Sequence, residues 1–375
     1  MRILVDYRPA LRERTGVGEY IHNLVRAYAH QHVADGDEVA IFTSSWKDRP
    51  AAGLSSDLAA RVVDRRVPVR VLNYCWHRLE WPWIETLGIA ADVVHAAHPL
   101  LIPTRYAAQV VTVHDLFFLT APDATRAEIR RDYPRLAPSH ARRADAIVAN
   151  SRYTASLVER TFGVPQARVH VCSPGPPVWR RLGAAPNLPR DGYVLFLGTL
   201  EARKNLGALL DAYSCLVERN AHPAPLVIAG KSTADAAPSL ARLSQWPLAG
   251  HVRHLGYVPD REQLYTGARL LVVPSRDEGF GIPVLEAMSA GVPVVAANRG
   301  ALPEVLGDAG LLVDPDDVHA LADAIHRMLT DEAFAIACAE RGLARARQFS
   351  WNRAATALRG AYEAALANHC ARHAA

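Results

Sequence analysis

Two glutamates eight positions apart flank a glycine-rich loop in the segment RDEGFGIPVLEAMSAGVPVV, residues 276–295. Glu278 lies in the loop, and Glu286 lies three residues beyond a proline of the kind that begins a helix. Gly279 and Gly281 let backbone N–H groups approach a ligand closely, and a helix start adds partial positive charge. The loop therefore suits an anion such as a diphosphate, and Glu286 can accept hydrogen bonds from ribose hydroxyls. The simpler alternative is that Glu286 only favours the helix dipole.

The loop follows the apolar run ARLLVVPS, one of many short runs that alternate with longer amphipathic stretches. Runs of this length, rich in β-branched residues and without polar alternation, are typical of parallel strands covered by helices on both faces. The alternation pauses at residues 173–192, which are rich in Pro and Gly, and then resumes. At 375 residues the chain is long enough for two cores. We therefore predict an α/β protein with two doubly wound, Rossmann-like domains and a linker between them.

Composition narrows the class of protein. The net charge is only +4, and its basic excess lies in the first half, which suits either an anionic partner or ordinary surface charge. The five cysteines are scattered and odd in number, so we expect neither a disulfide framework nor a Cys/His zinc site. The chain starts directly with a strand-like pattern, MRILVDYR, and no apolar run approaches the ~20 residues of a membrane span. These features predict a cytoplasmic protein.

Several motifs together resemble one enzyme family. The segment EGFGIPVLEAMSAGVPVVAANRGALPEVLGDAGLLVDP resembles the donor-site signature of retaining glycosyltransferases of family 4, whose E-x7-E motif matches Glu278 and Glu286. Further segments occur in that family's order: RTGVGEYIHNLVRA, VTVHD, NSRYTASLV, GTLEARKNLGALLDAY, LVIAGK and HLGYVPDREQLYTGA. Together these motifs cover most of the chain.

The resemblance implies the GT-B fold, in which two Rossmann-like domains face each other across an interdomain cleft. It implies an acceptor-side domain over residues 1–180 and a donor-binding domain over residues 190–348. It also implies that a C-terminal helix, within residues 349–375, crosses back to the first domain.

The resemblance then assigns the donor site residue by residue. Glu278 would lie against the donor sugar and its phosphates, together with the backbone amides of Gly279, Phe280 and Gly281. Glu286 would bind the ribose hydroxyls of the nucleotide.

The segment EARKN supplies two cations. Arg203 and Lys204 follow a strand and a tight turn at Gly198, and the resemblance places them where positive charge stabilises the diphosphate leaving group. Many family members carry an arginine directly after this glycine, whereas this chain has Thr199. We therefore assign the main role to Lys204, with support from Arg203. Without the resemblance, the pair would be an ordinary solvated surface charge.

Two loops complete the expected donor site. Gly256, Tyr257 and Val258 resemble the family's base-binding segment, where backbone groups contact the edge of the nucleobase. Gly16 and Gly18, in TGVG, resemble the glycine-rich loop that closes over the donor, and a plain turn is the alternative.

Three histidines are further candidates. His114 ends the run QVVTVH, and the resemblance places it against the donor sugar, the alternative being a hydrogen-bonded core histidine. His95 and His98, in HAAHPLL, resemble acceptor-side positions. The resemblance also implies no metal site, because GT-B enzymes generally need no divalent cation.

The expected activity is that of a retaining hexosyltransferase. The donor would be a nucleotide diphosphate sugar, with guanosine diphosphate mannose (GDP-mannose) as the first candidate, and no other cofactor is expected. The segments VTVHDLFFLTAPD, GTLEARKN and HAAHPLLIP most resemble those of mannosyltransferases of O-antigen or capsule synthesis, so the expected acceptor is a glycan or a polyprenyl-diphosphate-linked glycan. No second carboxylate is identifiable as an inverting base, which predicts retention of the anomeric configuration. No nucleic-acid partner is expected.

Two alternatives stay open. A non-catalytic GT-B scaffold would bind a nucleotide sugar without releasing nucleoside diphosphate. A nicotinamide-dependent Rossmann enzyme is disfavoured, because its fingerprint needs glycine where this chain has Ile21 and an acidic residue where the second strand ends in Thr43 and serines.

Basic and aromatic residues also concentrate in two N-terminal segments. TRAEIRRDYPRLAPSHARR (125–143) is rich in arginine, and YCWHRLEWPW (74–83) adds tryptophans beside His77. This composition suits peripheral contact with an anionic membrane surface that carries lipid-linked acceptors. The alternative is a solvated helix beside a partly buried aromatic cluster.

Overall fold

The chain divides into two structural units. Unit 1 comprises Met1–Gly175 together with Ser350–Ala375, and unit 2 comprises Pro176–Phe349. The structure is a computed structural model, and it describes residues 1–11, 16–125, 127–219 and 223–374.

Unit 1 is built on a parallel sheet that has seven strands over the described residues, in the order β3-β2-β1-β4-β5-β6-β7. Its elements in chain order are β1 (Arg2–Asp6), α1 (Val17–His32), β2 (Glu38–Ser44), α2 (Leu54–Leu58), β3 (Arg61–Arg65), α3 (Val69–Tyr74), β4 (Val93–Ala96), β5 (Ala108–Val113), α4 (Phe117–Thr120), α5 (Ala127–Arg143), β6 (Ala146–Ala149), α6 (Arg152–Phe162) and β7 (Val169–Val171).

Alternate residues of β1 pack into two separate apolar layers, as expected for a strand covered on both faces. Ile3 and Val5 belong to the layer that contains residues of α1, whereas Leu4 belongs to the layer that contains residues of α5 and α6. Each fully buried side chain of this kind contributes ~1.5–3 kcal/mol. Burial on both faces therefore explains why these runs show no polar alternation in the sequence.

Unit 2 repeats this plan with a parallel sheet that has six strands over its described residues, in the order β10-β9-β8-β11-β12-β13. Its elements are β8 (Tyr193–Leu197), α7 (Leu206–Glu218), β9 (Leu226–Ala229), α8 (Ala237–Ala241), β10 (Val252–Gly256), α9 (Arg261–Gly267), β11 (Ala268–Val273), α10 (Ile282–Ser289), β12 (Val294–Ala297), α11 (Leu302–Leu306), β13 (Leu311–Val313), α12 (Val318–Thr330) and α13 (Glu332–Ala346). The two sheets confirm the predicted α/β class with two doubly wound, Rossmann-like units.

The last helix, α14 (Trp351–Ala374), belongs to unit 1. Leu358 and Tyr362 are buried in the same apolar layer as α1. The Tyr362 hydroxyl lies 2.8 Å from His95 Nδ1, and His95 Nε2 lies 2.7 Å from the hydroxyl of Thr112. Burial lowers the pKa of His95 to about 3. His95 is thus a neutral core residue that joins the sheet to α14, and it does not face an acceptor-binding surface.

Among the described helices, none combines the length and the apolar character that a membrane span requires.

Candidate active site

The strand order of unit 2 reverses between its two central strands, β8 and β11. From β8 the chain proceeds outward to β9 and β10, and from β11 it proceeds the other way to β12 and β13. The loops that leave such a strand pair open a crevice, which is where open α/β sheets bind ligands. Here the loops are residues 198–205 and 274–281, and the Arg276 amide donates a 2.8 Å hydrogen bond to the Arg203 carbonyl between them.

Glu278 lies in this crevice with both carboxylate oxygens engaged by cations. Lys204 Nζ is 2.5 Å from Oε1, and Arg203 Nη1 is 3.2 Å from Oε2. The Ser275 hydroxyl also donates to Oε1, at 2.8 Å. Only 6 % of Glu278 is exposed. The structure therefore brings together three of the predicted site residues and adds a serine that the sequence analysis did not select.

The pKa of Glu278 results from opposing effects. Burial alone would raise it, but the charges of Lys204 and Arg203 and the hydrogen bonds from Lys204 and Ser275 outweigh burial and lower the pKa to about 2. Glu278 is therefore a carboxylate at neutral pH. Because the two cations already hold one anionic group, a phosphate oxygen that enters the crevice would meet positive charge that is fixed in place.

Local backbone structure positions the two cations. Residues Ala202–Lys204 form a 3₁₀ turn that ends at Asn205, whose left-handed backbone (φ 56°) redirects the chain into α7. Arg203 Nε donates to the Glu201 carboxylate at 2.9 Å, and its Nη1 donates to the Asp277 carbonyl at 3.1 Å. Arg203 is thus tied to both loops of the crevice.

Glu286 is buried inside α10. The helix begins at Ile282 with Pro283 in its first turn, as the sequence predicts. Glu286 is 2 % exposed. Two side chains of α9 hold its carboxylate: Arg261 Nη1 contacts Oε1, and the Tyr265 hydroxyl donates to Oε2 at 3.0 Å. Burial and this carboxylate raise the pKa of Tyr265 well above its usual range, so its hydroxyl stays a donor. A ligand hydroxyl would use the remaining lone pairs of the carboxylate.

The glycine-rich loop is supported from the core. Phe280 is 3 % exposed and packs edge to face on Phe349, with ring centroids 5.6 Å apart. Gly281 has φ 95°, a conformation that favours glycine, and it immediately precedes α10. Because the ring of Phe280 is a core side chain, this position can offer a donor only its backbone.

The GYV segment follows β10. Gly256 is the last residue of the strand, Tyr257 is 49 % exposed, and Val258 packs on the apolar layer that contains α10. The segment therefore exposes one aromatic ring at the carboxyl edge of the sheet, beside the backbone groups that the resemblance assigned to base binding.

Unit 1 has its own strand-order reversal, between β1 and β4. Gly16 immediately precedes α1, and Gly18 lies in the first turn of that helix. Thr15 of the predicted TGVG motif lies outside the described residues.

His114 follows β5 and is half-buried. Its Nε2 donates to the Ala97 carbonyl at 3.2 Å, and its ring meets Tyr20 edge to face at 5.3 Å between centroids. Burial lowers the pKa of His114 to about 4, against the opposing effect of the Ala97 hydrogen bond. The imidazole is therefore neutral at neutral pH, and because Nε2 carries the proton, Nδ1 is its hydrogen-bond acceptor.

A buried polar network lies at the end of β1, and of its members the sequence analysis selected only His98. Two Arg8 nitrogens lie 2.8 Å from the two carboxylate oxygens of Asp6, and His98 Nε2 lies 3.3 Å from the same carboxylate. Arg8 Nη1 donates to Asn73 at 2.7 Å, and the Asn73 amide donates to Glu128 at 2.6 Å. Burial would raise the pKa of Asp6, but Arg8 and His98 lower it well below its usual range. No local signal marked this network, because the strand order that places it at a switch point depends on contacts between distant segments.

Most described arginines of residues 125–143 have protein partners. The ion pairs are Arg131–Asp132 at 2.6 Å, Arg143–Glu80 at 2.6 Å and Arg130–Asp123 at 3.5 Å, and Arg142 donates to the Phe162 carbonyl at 3.4 Å. Arg126 lies outside the described residues. In the neighbouring aromatic segment Trp76 is buried, whereas Trp81 is 53 % exposed. Within the described part of the chain, no cluster of three or more His, Cys, Asp or Glu is placed to hold a metal ion.

Comparison with known proteins finds similar proteins over nearly the whole chain. Residues 14–178 match the family model described as Glycosyltransferase Family 4, and residues 191–331 match the model described as Glycosyl transferases group 1. The O-antigen chain mannosyltransferase B of Escherichia coli is 33 % identical, over 97 % of this chain and 100 % of that protein. The D-inositol 3-phosphate glycosyltransferase of Corynebacterium aurimucosum is 32 % identical, over 96 % of this chain and 93 % of that protein.

Solved structures show the same fold. Sucrose-phosphate synthase from Thermosynechococcus elongatus superposes with a TM-score of 0.74 at 21 % identity, covering 96 % of this chain and 98 % of that chain. WaaG, a glycosyltransferase involved in lipopolysaccharide biosynthesis, superposes with a TM-score of 0.69 at 17 % identity, covering 95 % and 98 %. Two parallel-sheet units with these likenesses define a glycosyltransferase of the GT-B class. The full-length relatives and the matched models show, more narrowly, that the chain belongs to glycosyltransferase family 4.

Two residues that hold Glu286 were also missed. Arg261 and Tyr265 lie four positions apart on α9, so they share one helix face, and both lie in the quoted segment HLGYVPDREQLYTGA. That spacing was the available signal, but nothing in the sequence indicated which distant carboxylate the face contacts.

Proposed function

We propose that the protein transfers a mannosyl residue, with retention of configuration, from GDP-mannose to a glycan or a polyprenyl-diphosphate-linked glycan in cell-surface polysaccharide synthesis. The name of the E. coli relative, an O-antigen chain mannosyltransferase, supports the sugar and the pathway, since the likeness spans both chains nearly end to end. The family membership supports the reaction class.

The observation that carries the proposal is the contact of Glu278 with Lys204 and Arg203 in the switch-point crevice of unit 2. When the bond between the anomeric carbon and the diphosphate oxygen breaks, negative charge grows on that oxygen. Cations already fixed in the crevice stabilise this charge without reorganisation. The ammonium of Lys204 has three donors, so it can contact Glu278 and a phosphate oxygen together.

The leaving phosphate also serves as the base in this proposal. Its oxygen accepts the proton of the acceptor hydroxyl on the face from which it departs, while the acceptor oxygen bonds to the anomeric carbon. The new glycosidic bond therefore keeps the configuration of the donor. Glu278 faces the transferred sugar and favours the positive charge that develops at the anomeric carbon.

Glu286 is the proposed ribose ligand. Arg261 and Tyr265 hold its two oxygens from one side and fix the orientation of the carboxylate. A pre-oriented carboxylate contributes similarly to ground-state and transition-state binding, because the ribose is far from the reacting carbon.

Two further parts of the proposal concern the metal requirement and the location of the protein. Lys204 and Arg203 supply the charge that a divalent cation would supply elsewhere, so we propose that the reaction is metal-independent. We also propose that the protein works at the cytoplasmic face of a membrane that carries its acceptor, with exposed Trp81 and neighbouring basic groups in contact with anionic lipid.

The test is release of nucleoside diphosphate from a panel of GDP-, UDP- and ADP-linked sugars, with and without EDTA. Release of GDP from GDP-mannose, insensitive to EDTA, is expected, because water can replace the acceptor slowly. A protein that binds GDP-mannose but releases no GDP, with or without a glycan acceptor, would be a non-catalytic scaffold and would contradict the proposal. Loss of release on chelation would contradict its metal-independence.

A further inference from the structure

Lysine is rare in this chain. Of its 42 Lys and Arg residues only three are lysines, Lys47, Lys204 and Lys231, so arginine supplies nearly every basic side chain. The two residue types differ physically, because an ammonium is a compact charge on a flexible stem whereas a guanidinium is a planar fork. Lys204 and Lys231 follow two adjacent strands of unit 2, β8 and β9. Two of the three lysines thus lie at the carboxyl edge of one sheet.

The backbone at Lys231 is fixed by its neighbours. A Cβ atom at Gly230 would lie 1.8 Å from the Gly198 carbonyl oxygen, so only glycine allows this close approach. The Gly230 amide donates to the Gly256 carbonyl at 2.7 Å, and the Leu200 amide donates to the Lys231 carbonyl at 2.9 Å. The ends of β8, β9 and β10 therefore hold the base of the Lys231 side chain in one place.

The side chain of Lys231 extends toward Tyr257. Its ammonium lies over the Tyr257 ring, 5.1 Å from the centroid. Both side chains are exposed, and Tyr257 follows Gly256 directly in the segment that resembles the family's base-binding loop. An exposed ring gives a stacking surface, and the ammonium beside it gives a donor that can swing to a ligand.

Neighbouring strand ends connect this pair to the candidate active site, because Tyr257 follows β10, Lys231 follows β9 and Lys204 follows β8 in one sheet. Arg261 lies four residues after Tyr257 and contacts Glu286, the proposed ribose ligand. Glu286 lies eight residues after Glu278, the residue held by Lys204. The Tyr257 ring and the Lys204 ammonium thus lie at the same carboxyl edge of one sheet, as the base and the diphosphate of a single nucleotide sugar require.

We propose that Lys231 and Tyr257 bind the nucleobase of the donor and that Lys231 selects guanine. The inference rests on the proposed function, in which the donor is a nucleotide diphosphate sugar. The base stacks on the Tyr257 ring, as bases do on exposed aromatic side chains. Guanine presents two adjacent acceptors, O6 and N7, to one ammonium, whereas adenine presents N7 beside an amino donor and uracil presents one oxygen at the corresponding edge. A lysine at this place therefore favours guanine.

Calorimetric titration of the full chain with GDP, UDP and ADP tests the inference. Lys231→Met keeps the stem and removes the charge, so GDP should bind about 10- to 150-fold more weakly while the affinity for ADP changes less than about twofold. Lys231→Gln presents the amide that pairs with the N6 and N7 atoms of adenine, so it should raise the ratio of ADP to GDP affinity. Lys47→Met, at the exposed lysine of unit 1, is the matched control and should leave all three affinities unchanged.

Variants of Tyr257 test the stacking part of the inference. Tyr257→Ala should weaken all three nucleotides by similar factors, whereas Tyr257→Phe should retain wild-type binding, because stacking is tolerant of base identity. Equal weakening of GDP, UDP and ADP by Lys231→Met would place the ammonium on the diphosphate and would overturn the inference, as would unchanged GDP affinity. A wild-type protein that binds none of the three nucleotides would contradict the proposed function itself.

Discussion

Replacement of Lys204 by alanine removes the cation closest to Glu278. The Lys204 ammonium is 2.5 Å from Glu278 Oε1, and its side chain is 11 % exposed. In the proposed reaction the same ammonium meets charge that grows as the bond to the diphosphate breaks. Removal of one such pre-positioned donor lowers turnover ~100- to 1000-fold in other enzymes, which corresponds to about 2.7–4 kcal/mol. We expect a loss of this size in kcat for Lys204→Ala.

The same change also affects stability. Glu278 keeps Arg203 and Ser275, but it loses its shortest charged contact in a buried position. A buried group left partly unsatisfied costs about 1–3 kcal/mol, so the melting temperature should fall measurably without loss of the fold. Lys204→Met keeps the apolar stem and separates the loss of charge from the loss of packing.

Steady-state release of GDP from GDP-mannose gives kcat and KM for both Lys204 variants and for Lys47→Met as the control. Each variant is first melted to establish that it is folded at the assay temperature. Both Lys204 variants should show the large loss in kcat, and the control should match wild type. Folded Lys204 variants that reach the wild-type kcat at saturating donor, with only KM raised, would refute the assignment of Lys204 to the developing charge.

The remaining predictions concern four other parts of the molecule. Glu286→Ala should raise KM for the donor about 10- to 150-fold with little change in kcat, and a variant whose kcat collapses at saturating donor would contradict the ribose role. The pKa of Glu278, about 2 instead of 4.5, means that its ionisation stabilises the fold above pH 4.5 and that this contribution disappears as the pH falls through 2. Between pH 5 and pH 3, the free energy of unfolding measured with urea should therefore fall by about 2 kcal/mol less for Glu278→Gln than for wild type. Parallel curves of this free energy against pH would disprove the pairing. Deletion of residues 349–375 uncovers the layer that buries Leu358 and Tyr362 and should cost more than ~5 kcal/mol, so a truncated protein with wild-type melting and turnover would show α14 to be dispensable. Sedimentation with anionic vesicles should carry the protein down at low salt and less at high salt, and absent or salt-insensitive binding would exclude electrostatic membrane contact.

The strands of both sheets were predictable because a strand buried on both faces has an uninterrupted apolar sequence. Runs such as RILVDY and ARLLVVPS have no polar alternation, and β1 and β11 lie within them. The helix start at Pro283 was predictable for a similar local reason, since proline suits the first turn. The apolar runs do not predict the order of the strands in each sheet, because that order depends on contacts between distant segments. The switch points, and thus the locations of the crevices, followed only from the structure.

Within the candidate site, local signals located the residues but not their partners. The spacing of Glu278 and Glu286 marked both carboxylates, and the structure brings Lys204 and Arg203 to the first of them. That Arg261 and Tyr265 hold the second could not be read from a helix face alone. Phe280 was assigned to the donor loop through its backbone amide, and the sequence did not indicate that its ring would be part of the core.

The stereochemistry of the product tests the central claim most directly. Purified protein would be incubated with GDP-mannose and a mannose-terminated oligosaccharide acceptor, and the new glycosidic linkage would be assigned by proton NMR from its one-bond carbon–hydrogen coupling. If the leaving phosphate takes the proton of the acceptor hydroxyl, GDP should form in a stoichiometric amount. The new linkage should then have the same anomeric configuration as the donor. An inverted linkage would contradict the proposed mechanism, and GDP-mannose that stays intact with this acceptor and in its absence would contradict the assignment of the donor.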